Sequence, residues 1–332
     1  MPDDSRVPPS RGFASGHDGT TYYGRPSLKH APFNNVVVGS YIFLAGLSGA
    51  AQLLATLVRR SGRRGGRNVV RTGRWLSLAA PTIGAGLLIY DLHTPQRFYN
   101  MLRIFRSTSP MSIGTWILMA FSGSSALTWA GDMLGRIPGL HWLRPVGRLT
   151  ELPAAASGAA LGTYTAALLS ATSTPLWAAA PRALAVRFGA SSVASACAAL
   201  SLAERRARND ELARDLDIVA LAALGVELVA SGMCRQRWKT VGLASAEDSV
   251  PGAMLLRIGA DDVGTALPIV LHAAALVAPA AASRSGSMLA SVATLVGSLC
   301  LRIGVMSAGD ASSDRPRESL GFASPRNLSR QL

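Results

Sequence analysis

Cysteine is almost missing from this chain: Cys197, Cys234 and Cys300 are the three among 332 residues, far apart and each in or at the end of an apolar run. No C-x-x-C spacing joins them, so no recognised iron–sulfur pattern is available and they read as small buried hydrophobes. Histidine is nearly as sparse, at positions 17, 30, 93, 141 and 272. A haem b between membrane helices needs two axial imidazoles at matched depth, and His272 alone lies well inside an apolar run, which argues against an intrinsic haem. A Walker loop, a dinucleotide fingerprint and a nucleophile motif in its structural setting are also absent, leaving soluble-enzyme chemistry without a foothold.

Charge is in short supply as well, at 16% of residues against 49% apolar, and it is gathered into short clusters instead of being spread along helix faces. That pattern belongs to a polytopic membrane protein. A hydrocarbon core about 30 Å thick needs roughly 20 mostly apolar residues per helix. About eight runs meet or approach this, near 35–58, 74–91, 112–134, 152–175, 187–203, 212–232, 252–281 and 286–307. They are too long and too evenly apolar for barrel strands, so the expected fold is all-α. Residues 1–33 are polar and rich in Pro, Gly and Ser, with no apolar h-region or cleavage site, and read as an uncleaved disordered tail. Residues 309–332 read the same way, leaving a membrane domain over 34–308.

The net charge of +14 does not point to nucleic acid, because the basic residues sit between apolar helices, where they orient the chain or meet anionic lipid. An even number of helices puts both termini on one side. Arg59, Arg60, Arg63, Arg64, Arg67, Arg71 and Arg74 tip the Lys and Arg count toward the other side, which places the termini and the loop from Asp91 to Ser112 outside.

Polar groups inside apolar runs are costly, and several occur here: Glu227, Arg257, Asp262 and Arg302. They suit either a proton path or a set of structural ion pairs. Asp132, Glu151 and Asp217 lie close enough to run ends to read as structural. In the fourth run, Tyr164 sits among small residues, presenting its phenol beside the hydroxyls of Thr163 and Thr165. The phenol suits a quinone carbonyl and equally suits a neighbouring backbone carbonyl. Pro175 and Trp177 mark the end of this run at the membrane interface.

The run GSYIFLAGLSGAAQLL, the loop DLHTPQRFYNMLRIFRSTSPMSIGTWIL, the segment GTYTAALLSATSTPLW and the last-helix LRIGVMSAG together resemble the NrfD or polysulfide-reductase membrane-subunit family over roughly 35–310. Most members open the loop with D-L-G-R-P. Here it reads Asp91, Leu92, His93, Thr94, Pro95, so the Gly and the Arg are replaced. The resemblance implies an eight-helix quinone-reactive subunit built as two four-helix bundles, about 34–176 and 187–308. It implies a multi-pass protein of the bacterial cytoplasmic membrane that carries no haem or iron–sulfur cluster of its own. Its implied substrate is menaquinone or ubiquinone. Its implied partners are a ferredoxin-like iron–sulfur subunit and a catalytic subunit, frequently a molybdopterin enzyme. Matched by motif, the carry-over covers Asp91, Pro95, Arg97, Ser109, Pro110, Tyr164 and Arg302, with Asn34 and Tyr41 matched by position and chemistry.

On this reading Tyr164 binds one quinone oxygen with Asn34, Tyr41, Ser109 and Thr165 nearby, while Asp91 or His93 takes a proton. Arg97, Arg103 and Arg106 form a cationic rim that stabilises negative charge on the quinone or docks an acidic face of the iron–sulfur partner. Two other classes stay open. A secondary transporter is compatible with interruptions such as Pro81, Pro175 and Pro268, although no inverted repeat is evident and the TSPMS loop goes unexplained. A purely structural anchor would hold a redox enzyme at the membrane without touching quinone.

Overall fold

The computed structural model describes residues 34–91, 100–243, 252–277 and 280–313, together with Leu28, Arg315 and Phe322. Among these, every regular segment is helical. The elements are α1 (Asn35–Arg60), α2 (Arg67–Asp91), the short α3 (Asn100–Arg103), α4 (Pro110–Met133), α5 (Leu143–Ser170), the short α6 (Pro175–Ala179), α7 (Pro181–Arg206), α8 (Asp210–Thr240), α9 (Met254–Val277) and α10 (Ala280–Ser313). All but α3 and α6 have 24 residues or more, which at 1.5 Å per residue exceeds the hydrocarbon thickness of about 30 Å.

Six of these helices, α1, α5, α7, α8, α9 and α10, are apolar enough to span a membrane on composition alone. The other two match them in length. α2 is diluted by Arg67, Arg71 and Arg74 in its first turns, and α4 by Ser122, Ser124 and Ser125. The helices run past the apolar windows: α7 begins at Pro181, well before the expected 187, and α10 continues through Ser313, beyond the limit expected at 308. A helix extends as long as its backbone bonds are satisfied, whereas an apolar window stops at the first cluster of charge.

Alternating helix direction sorts the connections into two ends. At one end lie Asn34, the segment between α2 and α4, and the C-terminus of α10, where Asn35 Nδ2 donates to Asp310 Oδ2 at 2.7 Å. At the other end, the α1–α2 turn approaches α7 and α8, with Asn68 Nδ2 donating to Glu204 Oε1 at 2.8 Å. Helix α1 is central, packing on α2, α5, α7 and α10, while α4 packs chiefly on α5 and α7 on α8.

Trp177, expected at the interface, is fully buried: its indole N–H donates to the Val305 carbonyl at 2.8 Å, and Gly309 gives its ring room. The reason is that α6 folds inward against α10 instead of marking a lipid-facing helix end, and burial gives the indole a partner that the interface would have supplied as water.

Helix α9 is not uniform. Met254–Ala266 is π-helical and only Leu267–Val277 is α-helical, with the Leu267 N–H donating to the Asp262 carbonyl five residues back. Pro268 follows at once, and its ring would press on the i−4 carbonyl of a continuous α-helix; the wider turn ahead of it relieves that clash. The π segment packs on α10 at Gly264 and Gly297, where a β-carbon on either residue would collide with the other's Cα. Gly297→Leu is therefore expected to lower stability by about 1–3 kcal/mol or more, read as a fall in the unfolding midpoint in detergent. Gly286→Leu, on the same helix with open space around it, should leave the midpoint near that of the parent.

Candidate functional site

The end of the molecule bearing the Asp91 connection gathers residues from four helices. Asn34 caps α1, its Oδ1 accepting from the amides of Val36 and Val37 at 3.0 and 3.2 Å. The Asn34 amide in turn donates to Asp91 Oδ1 at 3.2 Å, tying the start of α1 to the end of α2. The second carboxylate oxygen of Asp91 makes no hydrogen bond among the described residues. Less than two turns inward, the Tyr41 ring of α1 rests against Gly84 of α2, whose missing side chain lets the ring approach. Tyr41 is also within electrostatic reach of Tyr164 on α5. The Tyr164 ring lies over Gly114 of α4, and its hydroxyl donates to the Pro110 carbonyl. A side chain at Gly114 would occupy the space of that ring.

All four groups therefore gather near one end, with Asn34 and Asp91 at the helix termini and Tyr41 less than two turns deeper, and Tyr41, Asp91 and Tyr164 are half-buried. Around them, exposed apolar side chains face outward: Ile83 and Tyr90 on α2, Met111 and Trp116 on α4. The Phe105 and Trp116 rings meet edge to face with centroids 5.8 Å apart, fixing the α3–α4 connection against α4. Arg103 and Arg106 are exposed on that connection and form no ion pair among the described residues.

Other expected members are placed differently. Ser109 is the N-cap of α4, its Oγ accepting from the Ser112 amide at 3.4 Å, with Pro110 at N1, so its hydroxyl is committed to the helix start. Thr165 is buried in helix packing and does not share the half-exposed edge of Tyr164. His93, Pro95 and Arg97 lie outside the described residues.

The polar groups of the later helices form a second cluster. Arg302 is buried, donating from Nη1 to Ser191 Oγ and Ser298 Oγ, both at 2.6 Å, and from Nη2 to Ser192 Oγ and the Phe188 carbonyl, both at 3.1 Å. Its guanidinium also stands 5.1 Å from the centroid of the Phe188 ring. Glu227 is buried within electrostatic reach of Arg302 and Arg187. Arg187 donates to Asp261 at 2.6 Å, and Asp261 also takes bonds from Ser231 at 2.8 Å and from Arg235. The expected set of Glu227, Arg257, Asp262 and Arg302 is thus split: Arg257 and Asp262 are exposed, and Arg187 and Asp261 take the interior places. A π-helical segment changes the phase that an α-helical reading of the sequence assumes, and here Asp261 faces inward while Asp262 faces outward.

At the opposite end, Asp132, Glu151 and Asp217 sit in ion pairs. Asp132 is held by Arg59 Nη1 at 2.7 Å and Arg74 Nε at 3.2 Å, Glu151 by Arg74, and Asp217 by Arg205. Arg74 is fully buried, although its position in a run of arginines reads as a loop charge. His272 is buried with neither ring nitrogen hydrogen-bonded among the described residues, and it lines a cavity of about 380 Å³ with Arg205, Asp217 and Arg284. Cys197 and Cys234 are fully buried in the helix packing.

The profile of the family described as Polysulphide reductase, NrfD, matches residues 27–312, which takes in every helix and both polar clusters. The chain belongs to the NrfD family. A similar protein is the C subunit of polysulfide reductase from Wolinella succinogenes, 27% identical over 316 aligned positions that cover 83% of this chain and 95% of the relative. NrfD membership, with the spanning helices, makes this a multi-pass membrane protein and a membrane subunit of a redox complex. In this NrfD protein the loop that departs from D-L-G-R-P begins at the residue, Asp91, that closes the α1–α2 corner.

Proposed function

We propose that the chain is the quinone-reactive subunit of a multi-subunit oxidoreductase of the bacterial cytoplasmic membrane. It exchanges electrons between menaquinone or ubiquinone and a ferredoxin-like iron–sulfur subunit, which serves a catalytic subunit of the molybdopterin class. The observation that carries this reading is the convergence of Asn34, Asp91, Tyr41 and Tyr164 near one end of the helices, beside an exposed apolar rim and an exposed cationic connection.

A quinol gives up two electrons and two protons. The second oxygen of Asp91, which makes no hydrogen bond among the described residues, accepts a proton near the membrane surface. Tyr164 donates its own proton to Pro110, so its oxygen is left to accept from a quinol hydroxyl. Ile83 and Trp116, 58% and 38% exposed, give a lipophilic substrate an approach from the bilayer. Arg103 and Arg106, with Leu102, Ile104 and Phe105 exposed between and beside them, offer a mixed cationic and apolar face to the iron–sulfur partner.

Tyr164→Phe in the intact complex should raise the KM for a short-chain quinol about threefold to tenfold, the worth of one hydrogen bond, with subunit composition unchanged. Co-purification in mild detergent, followed by mass spectrometry and EPR of the reduced sample, should recover an iron–sulfur subunit and a large oxidoreductase subunit. A solitary protein from well-preserved membranes would turn the assignment toward a transporter. Full quinol-linked activity after substitution of both Tyr164 and Asp91 would leave an anchor only.

A further inference from the structure

The end of the molecule opposite Asp91 holds a cavity that electron exchange does not use. It measures about 300 Å³ and is lined by Arg59, Arg63, Arg67, Arg71 and Arg136, with Asp132 as the acidic residue of its wall. The charge of Asp132 is already engaged, since it accepts from Arg59 and Arg74. Arg63 is paired with Asp215. Arg67 and Arg136 form no ion pair among the described residues, and Arg71 donates only to the neutral amide oxygen of Asn68, at 3.2 Å. Three guanidinium groups therefore line one small space without an ion-pair partner among the described residues, an arrangement whose self-repulsion an anion would relieve.

The local structure aims at that space from two directions. Arg67 and Arg71 are four residues apart on the first turns of α2 and so share a face, while Arg136 comes across from the 3₁₀ turn Leu134–Arg136 after α4. The first turn of α2 contains no acidic residue, so the positive end of its dipole adds to the same field. Planar guanidinium groups with several donors each are suited to the oxygens of a phosphate.

The cavity also lies at the membrane boundary. Val58, Val70 and Met133 form apolar parts of its wall. Leu57, Trp75 and Ile137 project outward beside it, each about half exposed. Trp75 and Trp129 meet edge to face with centroids 4.9 Å apart, a pairing suited to the headgroup level. A soluble phosphate would satisfy the arginines but has no use for the apolar rim; a phospholipid uses both.

We infer that the α1–α2 turn and the turn after α4 form a binding site for the phosphate group of an anionic membrane lipid, whose acyl chains run along Leu57 and Trp75. The test uses the purified complex, stripped of lipid in detergent, and follows the thermal midpoint of this subunit against added phosphatidylglycerol, cardiolipin, phosphatidylcholine or inorganic phosphate. Phosphatidylglycerol and cardiolipin should raise the midpoint, while phosphatidylcholine and inorganic phosphate at equal phosphate concentration should not. In Arg67→Gln/Arg71→Gln/Arg136→Gln the lipid concentration needed for the shift should rise on the order of 100-fold, at about fivefold per basic residue. If the triple variant does not fold, Arg136→Gln alone, on an exposed turn, should show the single step of about fivefold.

An unchanged lipid response in the variants overturns the site. An equal response to inorganic phosphate overturns the lipid source and assigns a soluble anion. Loss of a partner subunit from the triple variant, with its lipid response intact, overturns the inference in favour of a protein interface.

Discussion

Asp91→Asn is expected to lower quinol-linked turnover by about a hundredfold, the smaller end of what a positioned general base contributes. Asparagine has nearly the same shape and keeps an oxygen that accepts from the Asn34 amide, so the α1–α2 corner should hold. What it loses is the ability to take a proton. The measurement is steady-state oxidation of a water-soluble quinol by the intact complex, with subunit composition checked alongside. A fall in turnover with assembly unchanged places Asp91 in proton transfer. Equal turnover in parent and variant would remove it from the chemistry and leave it as a brace between two helix ends.

Arg74→Met is expected to destabilise the subunit by about 3–5 kcal/mol, the cost of leaving the buried Glu151 carboxylate without a hydrogen-bonded cation. Arg74 is fully buried, bonds both Asp132 and Glu151, and donates to Thr56 Oγ1 at 3.3 Å. Arg59 lies 3.7 Å from Glu151, too far to replace a direct hydrogen bond. The unfolding midpoint in detergent should fall steeply in the single variant. It should recover in large part in Arg74→Met/Glu151→Gln, because neutralising Glu151 removes the unpaired charge while Asp132 keeps Arg59. Arg63→Met, which breaks half-exposed pairs with Asp215 and Glu211, should cost at most about 1 kcal/mol. An Arg74→Met midpoint equal to that of Arg63→Met would mean that water reaches the cluster.

Much of the architecture is legible without coordinates, and particular residues show where legibility stops. The apolar run at 187–203 is short and rich in Ala and Ser, yet it is the middle of a helix spanning Pro181–Arg206, and its serines, among them Ser191, Ser192 and Ser195, bond to neighbours inside the packing. Composition scores those serines as polar, whereas the fold uses them as small, satisfied contacts. Tyr164 and Asp91 can be singled out by motif, but only the fold shows that the Tyr164 hydroxyl is committed to Pro110 and that Asp91 meets Asn34. No local pattern records a contact between residues 57 apart in the chain.

An all-helical membrane protein is already written in the chain's residues, because the length of the apolar runs and the demand for internal backbone hydrogen bonding leave few alternatives, and its motifs carry the NrfD family. Which charged residues face inward was decided by tertiary structure. Asp261 and not Asp262 meets Arg187, Arg74 leaves its arginine-rich neighbourhood for the core, and Trp177 turns from lipid to protein. The physical reason is that a buried charge or indole is stable only where a partner from another helix reaches it, and that meeting depends on helix phase, crossing and the local π turn.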